Sequence, residues 1–343
     1  MILVTGGTGL VGSHLLFDLA KKGKKIRALK RKTSNIRRVS KIFSYYSPDS
    51  DKLFSNIEWI EGDILDTDSL SVAMKGVKEV YHCAGLVSFL PNKKDIMQKI
   101  NVQGTKNIIN TSLKEGIDKL CYVSSTSIAY SNNNIDKYDE NFKWNPSAEH
   151  SNYSISKYKA EIEVREGIKK GLNCIIINPS IIIGPGDWTK GSSMLFTKVW
   201  KGYSFYTSGT AGFVDVKDVS SAMIKLMQNN DSSIFNKRFI ISSENCSYKN
   251  IIYWIADSLN KKNPNIYVNN LTLKLAGKFD IIKCKLLNQE PLITKEIIMM
   301  SDKKYYYSNE KIKNTININF IPVKDSIKQT GSLFLKDMDI LQN

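Results

Sequence analysis

The chain has 343 residues, 42% hydrophobic and 24% charged, with a mean hydropathy of -0.26, which is ordinary for a globular protein. The five cysteines are widely spaced and form no CxxC pair, which argues against a disulfide framework and a zinc site. The three histidines are not in metal-ligand spacing, which argues against a metal site of any kind. The net charge of +16 comes mostly from scattered lysines, a pattern typical of a solvated surface rather than of a nucleic-acid-binding face.

The sequence shows no targeting or membrane-spanning segment. The chain opens on a strand-like run rather than on a basic stretch followed by an apolar one, and its apolar stretches are too short to cross a bilayer. We therefore expect a cytoplasmic protein that acts on a small molecule, with neither nucleic acid nor membrane as a partner.

The first dozen residues organise the rest of the chain. A short apolar run, Ile2 to Val4, precedes the sequence GGTGLVG at 6–12, and a helical pattern follows. GxxGxxG in this position is typical of a dinucleotide-binding turn, whose glycines permit a sharp exit from the strand, close approach of a pyrophosphate and packing of the helix. The N–H groups at the helix start would face the phosphates. The predicted cofactor contacts here are Gly6, Thr8, Gly9, Leu10, Val11 and Gly12.

The second strand, predicted at 25–30, ends in a basic cluster. An acidic residue about 20 positions after the glycine turn would bind the adenosine ribose of NAD. This chain has Lys30, Arg31 and Lys32 instead, which suits the extra phosphate of NADP, with Arg31 as the main contact. Because a lysine-rich chain can produce such a cluster by chance, NAD stays open as the alternative cofactor.

Strand and helix patterns then alternate. Residues 34–56 predict a helix and a polar loop, further strands are predicted at 57–60, 79–83 and 119–124, and a helix at 101–116. Asp63, beside Ile64, would accept a hydrogen bond from adenine or cap the next helix. Ala84 and Gly85 would let the backbone lie against the cofactor or form a tight turn. The alternation predicts a parallel, doubly wound sheet with its ligand at the carboxyl ends of the strands.

The fifth strand and the helix after it carry the candidate catalytic groups. Tyr153 and Lys157 are four residues apart, so they share one helical face and point into the same cleft. A nearby ammonium lowers the pKa of a phenol from its ordinary value of about 10, which would make the pair a proton donor and acceptor. A hydroxyl from Thr126 or Ser125 would hold a substrate oxygen while a nicotinamide exchanges a hydride.

The chain contains a second pair with the same spacing. Tyr307 and Lys311 lie in the C-terminal stretch, without a preceding strand that ends in Ser or Thr. We therefore expect no catalytic role for this pair.

The chain resembles the extended short-chain dehydrogenase/reductase family, also called the NAD-dependent epimerase/dehydratase family. The matching segments are TGGTGLVG, GDILD, YHCAGLVSF, NVQGTKNI, VSSTS, YSISK, NPSIIIGPGD and FVDVKDV. The resemblance implies a catalytic triad of Thr126, Tyr153 and Lys157, with Lys157 also holding the nicotinamide ribose. It further implies that Asn101 positions the lysine side of the site. Pro179 to Ile181 would border the nicotinamide.

Details of the match favour one branch of the family. The absence of an acid after the second strand, and the segment HCAGLVSF, resemble the dihydroflavonol-reductase-like or hydroxysteroid-dehydrogenase-like branch. Asn178 stands where many relatives have Arg, and Ser127 and Ile128 stand where the dehydratases have Asp and Glu. The implied activity is NADP(H)-linked oxidoreduction of a carbonyl or secondary alcohol. The alternatives are a nucleotide-sugar epimerase or dehydratase with tightly bound NAD and, from another class, a non-catalytic nucleotide-binding protein.

These elements predict an α/β fold: a Rossmann-type doubly wound parallel sheet with a smaller intertwined C-terminal substrate-binding domain. Residues 1–178 would form the dinucleotide-binding domain and 179–343 the smaller part, from which about 213–241 returns to the first domain. The aromatic stretch 188–213 would line an apolar pocket or pack the smaller domain. A helix starting at Asp218 carries an apolar stripe that we assign to the core. A homodimer would use helices near 101–116 and 153–170, where packing on the sheet explains the apolar residues equally well.

Overall fold

The computed structural model describes residues 1–129, 137–287 and 294–342, and their side chains except those of 281–287 and 340–342. The thiol of Cys284 thus lies outside the described residues. The strands are β1 (Ile2–Thr5), β2 (Ile26–Lys30), β3 (Ile57–Glu61), β4 (Glu79–His82), β5 (Lys119–Val123), β6 (Cys174–Pro179), β7 (Ile181–Ile183), β8 (Phe205–Tyr206), β9 (Thr210–Asp215), β10 (Lys237–Ile241), β11 (Glu244–Ser247) and β12 (Ile266–Tyr267).

The helices alternate with these strands in the first half of the chain and dominate its end. They are α1 (Leu10–Lys21), α2 (Arg37–Tyr46), α3 (Ser50–Ser55), α4 (Thr67–Met74), α5 (Lys94–Gln98), α6 (Gly104–Lys114), α7 (Asn152–Lys169), α8 (Met194–Trp200), α9 (Val216–Met227), α10 (Tyr248–Ser258), α11 (Asn270–Leu287), α12 (Lys295–Met300), α13 (Glu310–Ile316) and α14 (Val323–Gln342). A π-helical turn, Lys99–Gln103, joins α5 to α6.

Seven strands form one parallel sheet in the order β10-β6-β5-β4-β1-β2-β3. Helices cover both faces, which is why β1 and β6 are buried along their whole length. The strand order reverses between β1 and β4, and open α/β sheets bind ligands at such a switch point, outside the carboxyl ends of the strands. The predicted fold class, a doubly wound Rossmann-type sheet with a smaller C-terminal part, is confirmed.

The C-terminal part contains two small sheets. One has the order β11-β9-β7 and the other pairs β12 with β8. The chain also returns to the main sheet, because β10 pairs with β6 and α9 packs against α1. The apolar stripe of α9 is fully buried, as predicted. A division of the chain at residue 178 stays a prediction.

Several element boundaries differ from the sequence-based expectations. α1 begins at Leu10, so the last three residues of the GGTGLVG segment already belong to the helix that was expected to follow it. α9 begins at Val216 rather than at Asp218, because the Asp215 carboxylate accepts a hydrogen bond from the Lys217 amide and caps the helix. α3 occupies a stretch expected to be loop, and the helical segment that includes Asn101 already starts at Lys94.

Two features are absent from the described residues. No helix there is both long and apolar enough to span a membrane. No group of three potential metal ligands meets in those parts of the chain.

Candidate active site

The glycine turn lies at the switch point of the sheet, and two of its glycines are required by the protein itself. Gly6 has a φ of +69°, and a Cβ there would lie 2.5 Å from the backbone nitrogen of Ala84. A Cβ at Gly12 would lie 2.2 Å from the carbonyl oxygen of Gly6. Both values are far inside van der Waals contact, so β1, β4 and the start of α1 can meet only because these positions lack side chains.

Gly9 is different, because the space beside it is nearly open. Among the residues that the structure describes, the Gly6 carbonyl oxygen, at 3.3 Å, would be the only atom within 4 Å of a Cβ there. Gly9 also precedes α1, and in the described chain no side chain caps that helix start. An open approach to uncapped amide groups is what a pyrophosphate requires, so these residues fit a bound dinucleotide. Half-buried Thr8, Leu10 and Val11 surround the same helix start.

The strand ends next to this turn carry the groups predicted to bind the adenosine. Arg31 is exposed, its backbone amide donates to the Ser34 hydroxyl at 3.1 Å, and its guanidinium has no bonding partner among the described residues. Asp63 does not cap the next helix: its carboxylate accepts from the Leu65 amide at 2.9 Å, and Asp66 caps α4. Ile64 is buried and packs its side chain against Gly104.

A series of buried hydrogen bonds links β1 to α7, the helix that carries Tyr153 and Lys157. The Thr105 hydroxyl donates to the Asn101 carbonyl at 2.6 Å, so it must accept from Nε2 of His82, 3.0 Å away. Nδ1 of His82 then accepts from the Thr5 hydroxyl at 2.8 Å. Burial lowers the pKa of His82 to about 3, which keeps the ring neutral. The side chain therefore acts as a fixed connector rather than as a charge.

Asn101 is the last connector in this series. It lies in the π-helical turn, and its side-chain amide donates to the Leu86 carbonyl and to the Ser156 hydroxyl, both at 2.9 Å. Its side-chain oxygen accepts from the Leu86 amide at 2.7 Å. The loop that begins with Ala84 and Gly85 is thus tied to α7 at Ser156, next to Lys157.

Tyr153 and Lys157 extend from α7 toward the end of β5. The Ser125 hydroxyl lies close enough to the Tyr153 phenol to lower the pKa of the phenol by hydrogen bonding, and the Lys157 ammonium donates to the Val123 carbonyl at 2.7 Å. Thr126 is buried at the start of a short 3-10 turn, 126–129. Ser125 is therefore the hydroxyl that acts on the pKa of the phenol, whereas the sequence alone left Ser125 and Thr126 as alternatives.

Burial dominates the acid–base character of both groups. It raises the pKa of Tyr153 to about 12, against which the hydrogen bond from Ser125 acts. It lowers the pKa of Lys157 to about 7, opposed by the Glu161 carboxylate. The expectation of a lowered phenol pKa is thus wrong for this structure, because burial of the phenol outweighs the opposing interactions. The phenol is held in its proton-donating form.

Glu161, one turn beyond Lys157, is a site residue that the sequence reasoning missed. Its carboxylate is buried and accepts from Ser124 at 2.9 Å and from Arg238 at 2.5 Å. Asn178 completes the cluster by donating to the Ser125 carbonyl at 3.1 Å. The i, i+4 spacing from Lys157 was a usable signal, but Arg238 comes from β10, far away in the sequence.

Two further neighbours of Tyr153 were also missed. The Phe89 ring, on the loop after β4, meets the Tyr153 ring edge-on with centroids 6.3 Å apart. The Glu296 carboxylate of α12 accepts from the backbone and side-chain amides of Asn152, at 2.9 and 2.7 Å. The C-terminal part thus contacts the first residue of the catalytic helix.

Other predicted positions have structural roles or lie at the border of the site. The aromatic residues of 188–213 mainly pack the C-terminal part: the Trp188 indole donates to Asp337 and packs edge-on against Phe334. Pro179 is buried at the end of β6, and Ile181 is half-buried at the start of β7. In the second YxxxK pair, the Lys311 ammonium donates to the Arg238 carbonyl.

A parallel sheet with a glycine turn at its switch point defines a Rossmann-type dinucleotide-binding protein. The sequence profile of the NAD dependent epimerase/dehydratase family matches residues 2–241, and the chain belongs to this family. It is an NAD(P)-dependent enzyme of the extended short-chain dehydrogenase/reductase type.

Individual proteins with similar sequence or structure extend the comparison. A Synechocystis sp. protein provisionally named dihydroflavonol 4-reductase is 26% identical over 330 residues, covering 94% of this chain and 91% of its own. The crystal structure of gox2253 has a TM-score of 0.80 at 27% identity and covers 98% of both chains. UDP-glucose 4-epimerase of Thermotoga maritima, solved with UDP-glucose, has a TM-score of 0.76 at 18% identity and covers 98% of this chain and 99% of its own. This last likeness shows the fold alone.

Proposed function

We propose that the protein is an NADP(H)-linked oxidoreductase that reduces a carbonyl compound or oxidises the corresponding secondary alcohol. The observation that carries this proposal is the position of the Tyr153 phenol on α7, close enough to the Ser125 hydroxyl after β5 for that hydroxyl to lower the pKa of the phenol. A proton donor and a second hydroxyl are thus next to each other at the edge of the sheet where a dinucleotide binds.

Each catalytic residue has a role that its surroundings support. Tyr153, with a pKa raised to about 12, gives its proton to the substrate oxygen during reduction and takes it back during oxidation. Ser125 or Thr126 donates a second hydrogen bond to that oxygen. Lys157 holds the nicotinamide ribose and returns a proton to the Tyr153 phenolate after reduction. A bound nicotinamide supplies the hydride.

The proposed cofactor contacts follow the sheet edge. Gly6, Thr8, Gly9, Leu10, Val11 and Gly12 would bind the pyrophosphate, and Asp63, Ile64, Ala84, Gly85, Asn101, Pro179 and Ile181 would surround the rest of the dinucleotide. NADP is favoured over NAD because the end of β2 offers the unpaired guanidinium of Arg31, while the neighbouring Lys30 is within 4.0 Å of Glu61.

The loop after β4 supports an apolar substrate. Phe89 faces the Tyr153 ring, and Val87 on the same loop is 55% exposed. A carbonyl compound with an aromatic or aliphatic body would cover these side chains while its oxygen reaches the phenol. The provisional reductase name of the Synechocystis relative, which matches nearly its full length, points to the same class of reaction.

The test begins with the purified protein. Any co-purifying nucleotide is extracted and identified, and NADPH and NADH are then titrated separately into nucleotide-free protein. We expect an empty protein that prefers NADPH and oxidises it in the presence of members of a panel of aromatic and aliphatic aldehydes and ketones. Tightly held NAD that resists exchange would overturn the NADP assignment and favour a nucleotide-sugar epimerase.

Matched tyrosine variants test the site. Tyr153→Phe should bind NADPH like the wild type and lose about 100-fold or more in kcat. Tyr158→Phe changes a tyrosine five residues further along α7, whose ring stacks on Trp144 with centroids 4.2 Å apart, and should keep full activity. Equal turnover in both variants would remove Tyr153 from the mechanism.

A further inference from the structure

Helix α11 carries an apolar stripe that nothing in the described chain covers. Leu271, Leu275 and Phe279 are 69%, 51% and 72% exposed and follow one another at intervals of four residues. The helix packs on the protein through Leu273, which is 3% exposed, and through buried Gly277. Since each residue turns a helix by about 100°, these two rows are on opposite sides of α11. The stripe is therefore not a loosely packed part of the core.

Further exposed apolar side chains and several lysines lie close to the stripe in the sequence. Ile266 and Tyr267 of β12, just before α11, are 52% and 53% exposed. Lys274 and Lys278 are exposed along one edge of the stripe. From residue 261 to residue 280 the chain has four lysines and one acidic residue. Contiguous apolar side chains bordered by lysines form an amphipathic helix suited to the interface of an anionic bilayer.

We infer that α11 docks this protein on the surface of an anionic membrane, with Leu271, Leu275 and Phe279 in the acyl boundary and Lys274 and Lys278 at the headgroups. A second copy of the chain fits this surface poorly, because pairing it with itself would bring the lysine edges of two molecules, each with a net charge of +16, close together. Anionic lipid complements the same charges. This inference departs from the expectation that the protein has no membrane partner. It is compatible with the finding that no helix of the described residues can span a membrane.

The docking surface is near the candidate active site. α11 packs on α12, whose Glu296 holds Asn152, the residue before Tyr153. Docking through α11 would therefore bring the catalytic helix close to the bilayer. The inference does not depend on the proposed oxidoreductase activity, because binding to lipid can be measured without nucleotide or substrate.

The experiment is co-sedimentation of the full chain with vesicles of phosphatidylcholine and with vesicles of an equimolar phosphatidylcholine–phosphatidylglycerol mixture. We expect binding to the anionic vesicles that weakens with added salt, and little binding to the neutral ones. The double variant Leu275→Gln, Phe279→Gln should lose about tenfold or more in partitioning without change of net charge. The control Val72→Gln, at a 54% exposed position of α4, should bind like the wild type.

The lysines are tested in the same assay. Lys274→Gln with Lys278→Gln should weaken binding to the anionic vesicles by about tenfold, while Lys22→Gln with Lys24→Gln, exposed lysines beyond α1, should change it little. Thermal melts confirm that all variants fold. Absence of vesicle binding, or binding that ignores the stripe, would overturn the inference. So would a dimer in solution that the Leu275→Gln, Phe279→Gln variant dissociates, because the stripe would then be covered by a second copy.

Discussion

The Lys157 ammonium is fixed to the carbonyl oxygen of Val123, 2.7 Å away at the end of β5. This contact joins the catalytic helix to the strand whose end supplies Ser125. The lysine is only 5% exposed, and its ammonium also lies 4.4 Å from the centroid of the Tyr122 ring. A charge in such surroundings is costly, which is why burial lowers the pKa of Lys157 to about 7.

The first prediction follows from that pKa. The pKa of Lys157 is near 10.4 in the unfolded chain and about 7 in the native chain. Between these pH values the unfolded chain binds a proton that the native chain lacks. Because of this difference, Lys157 makes the stability of the wild type rise with pH. Lys157→Met removes the desolvation cost, which is fully present below pH 7. At pH 6 we expect the free energy of unfolding of the variant to exceed that of the wild type by several kcal/mol, reduced by the ~1–3 kcal/mol that the loss of the donor to the Val123 carbonyl costs. This difference should shrink progressively toward pH 9.

Urea unfolding of both proteins at the two pH values measures this difference. Lys159→Met, at an exposed position of the same helix, is the control and should show the wild-type pH dependence. A stability difference between Lys157→Met and the wild type that stays constant with pH would contradict a depressed lysine pKa.

The second prediction concerns Glu161. Its buried carboxylate raises the pKa of Lys157 and pairs with Arg238 at 2.5 Å. In Glu161→Gln the ammonium loses its nearest countercharge, so the alkaline limb of the kcat profile should move to lower pH. The variant should also lose ~3–5 kcal/mol of stability, because Arg238 is left without a carboxylate. Glu166→Gln, at an exposed position paired with Lys169, should leave both the profile and the stability unchanged. Loss of stability without any movement of the profile would reduce Glu161 to a structural role.

The local features of the site could be predicted from the sequence because each depends on a short segment. The glycine turn and the spacing of Tyr153 and Lys157 follow from strand and helix periodicity alone. The choice between Ser125 and Thr126 could not be made, because the two hydroxyls are adjacent and the turn after β5 decides which one reaches the phenol. A one-residue difference in where a strand ends is below what a hydrophobic pattern can resolve.

Long-range relationships could not be predicted for a different reason. Glu161 gains its importance from Arg238 on β10, and α14 docks through Asp337, which accepts hydrogen bonds from Tyr45 and from Trp188. A single sequence carries no sign of such pairings. The sequence pattern also predicts no helix after residue 263, where the structure has α11, α12, α13 and α14. The lysines and asparagines of this segment obscure the apolar periodicity that identifies a helix.

The third prediction tests the series of buried hydrogen bonds from Thr5 to Asn101. Thr105→Val leaves the Nε2 proton of His82 without its acceptor and removes one donor to the Asn101 carbonyl, which should cost ~1–3 kcal/mol in stability. If this series of hydrogen bonds positions α7, kcat should also fall several-fold. The Kd for NADPH should stay unchanged, because the substitution leaves the glycine turn intact. Thr111→Val, at a similarly buried position of α6, is the control for the loss of a hydroxyl. An unchanged kcat in a folded Thr105→Val protein would show that these hydrogen bonds only stabilise the fold.

The last prediction concerns the choice of cofactor at the end of β2. Among the described residues nothing occupies the Arg31 guanidinium, so it can form a bidentate, charge-assisted contact with a 2′-phosphate. The backbone amide of Arg31 donates to the Ser34 hydroxyl, and this contact keeps the turn in place when the Arg31 side chain is shortened. Arg31→Ala should therefore raise the Kd for NADPH by about tenfold or more and change the Kd for NADH less than twofold, measured by fluorescence titration. Lys24→Ala removes the same charge at the opposite end of β2 and should affect neither cofactor. If Arg31→Ala weakened both cofactors equally, Arg31 would contribute only to the general attraction of anions, and the structural basis for preferring NADP would be lost.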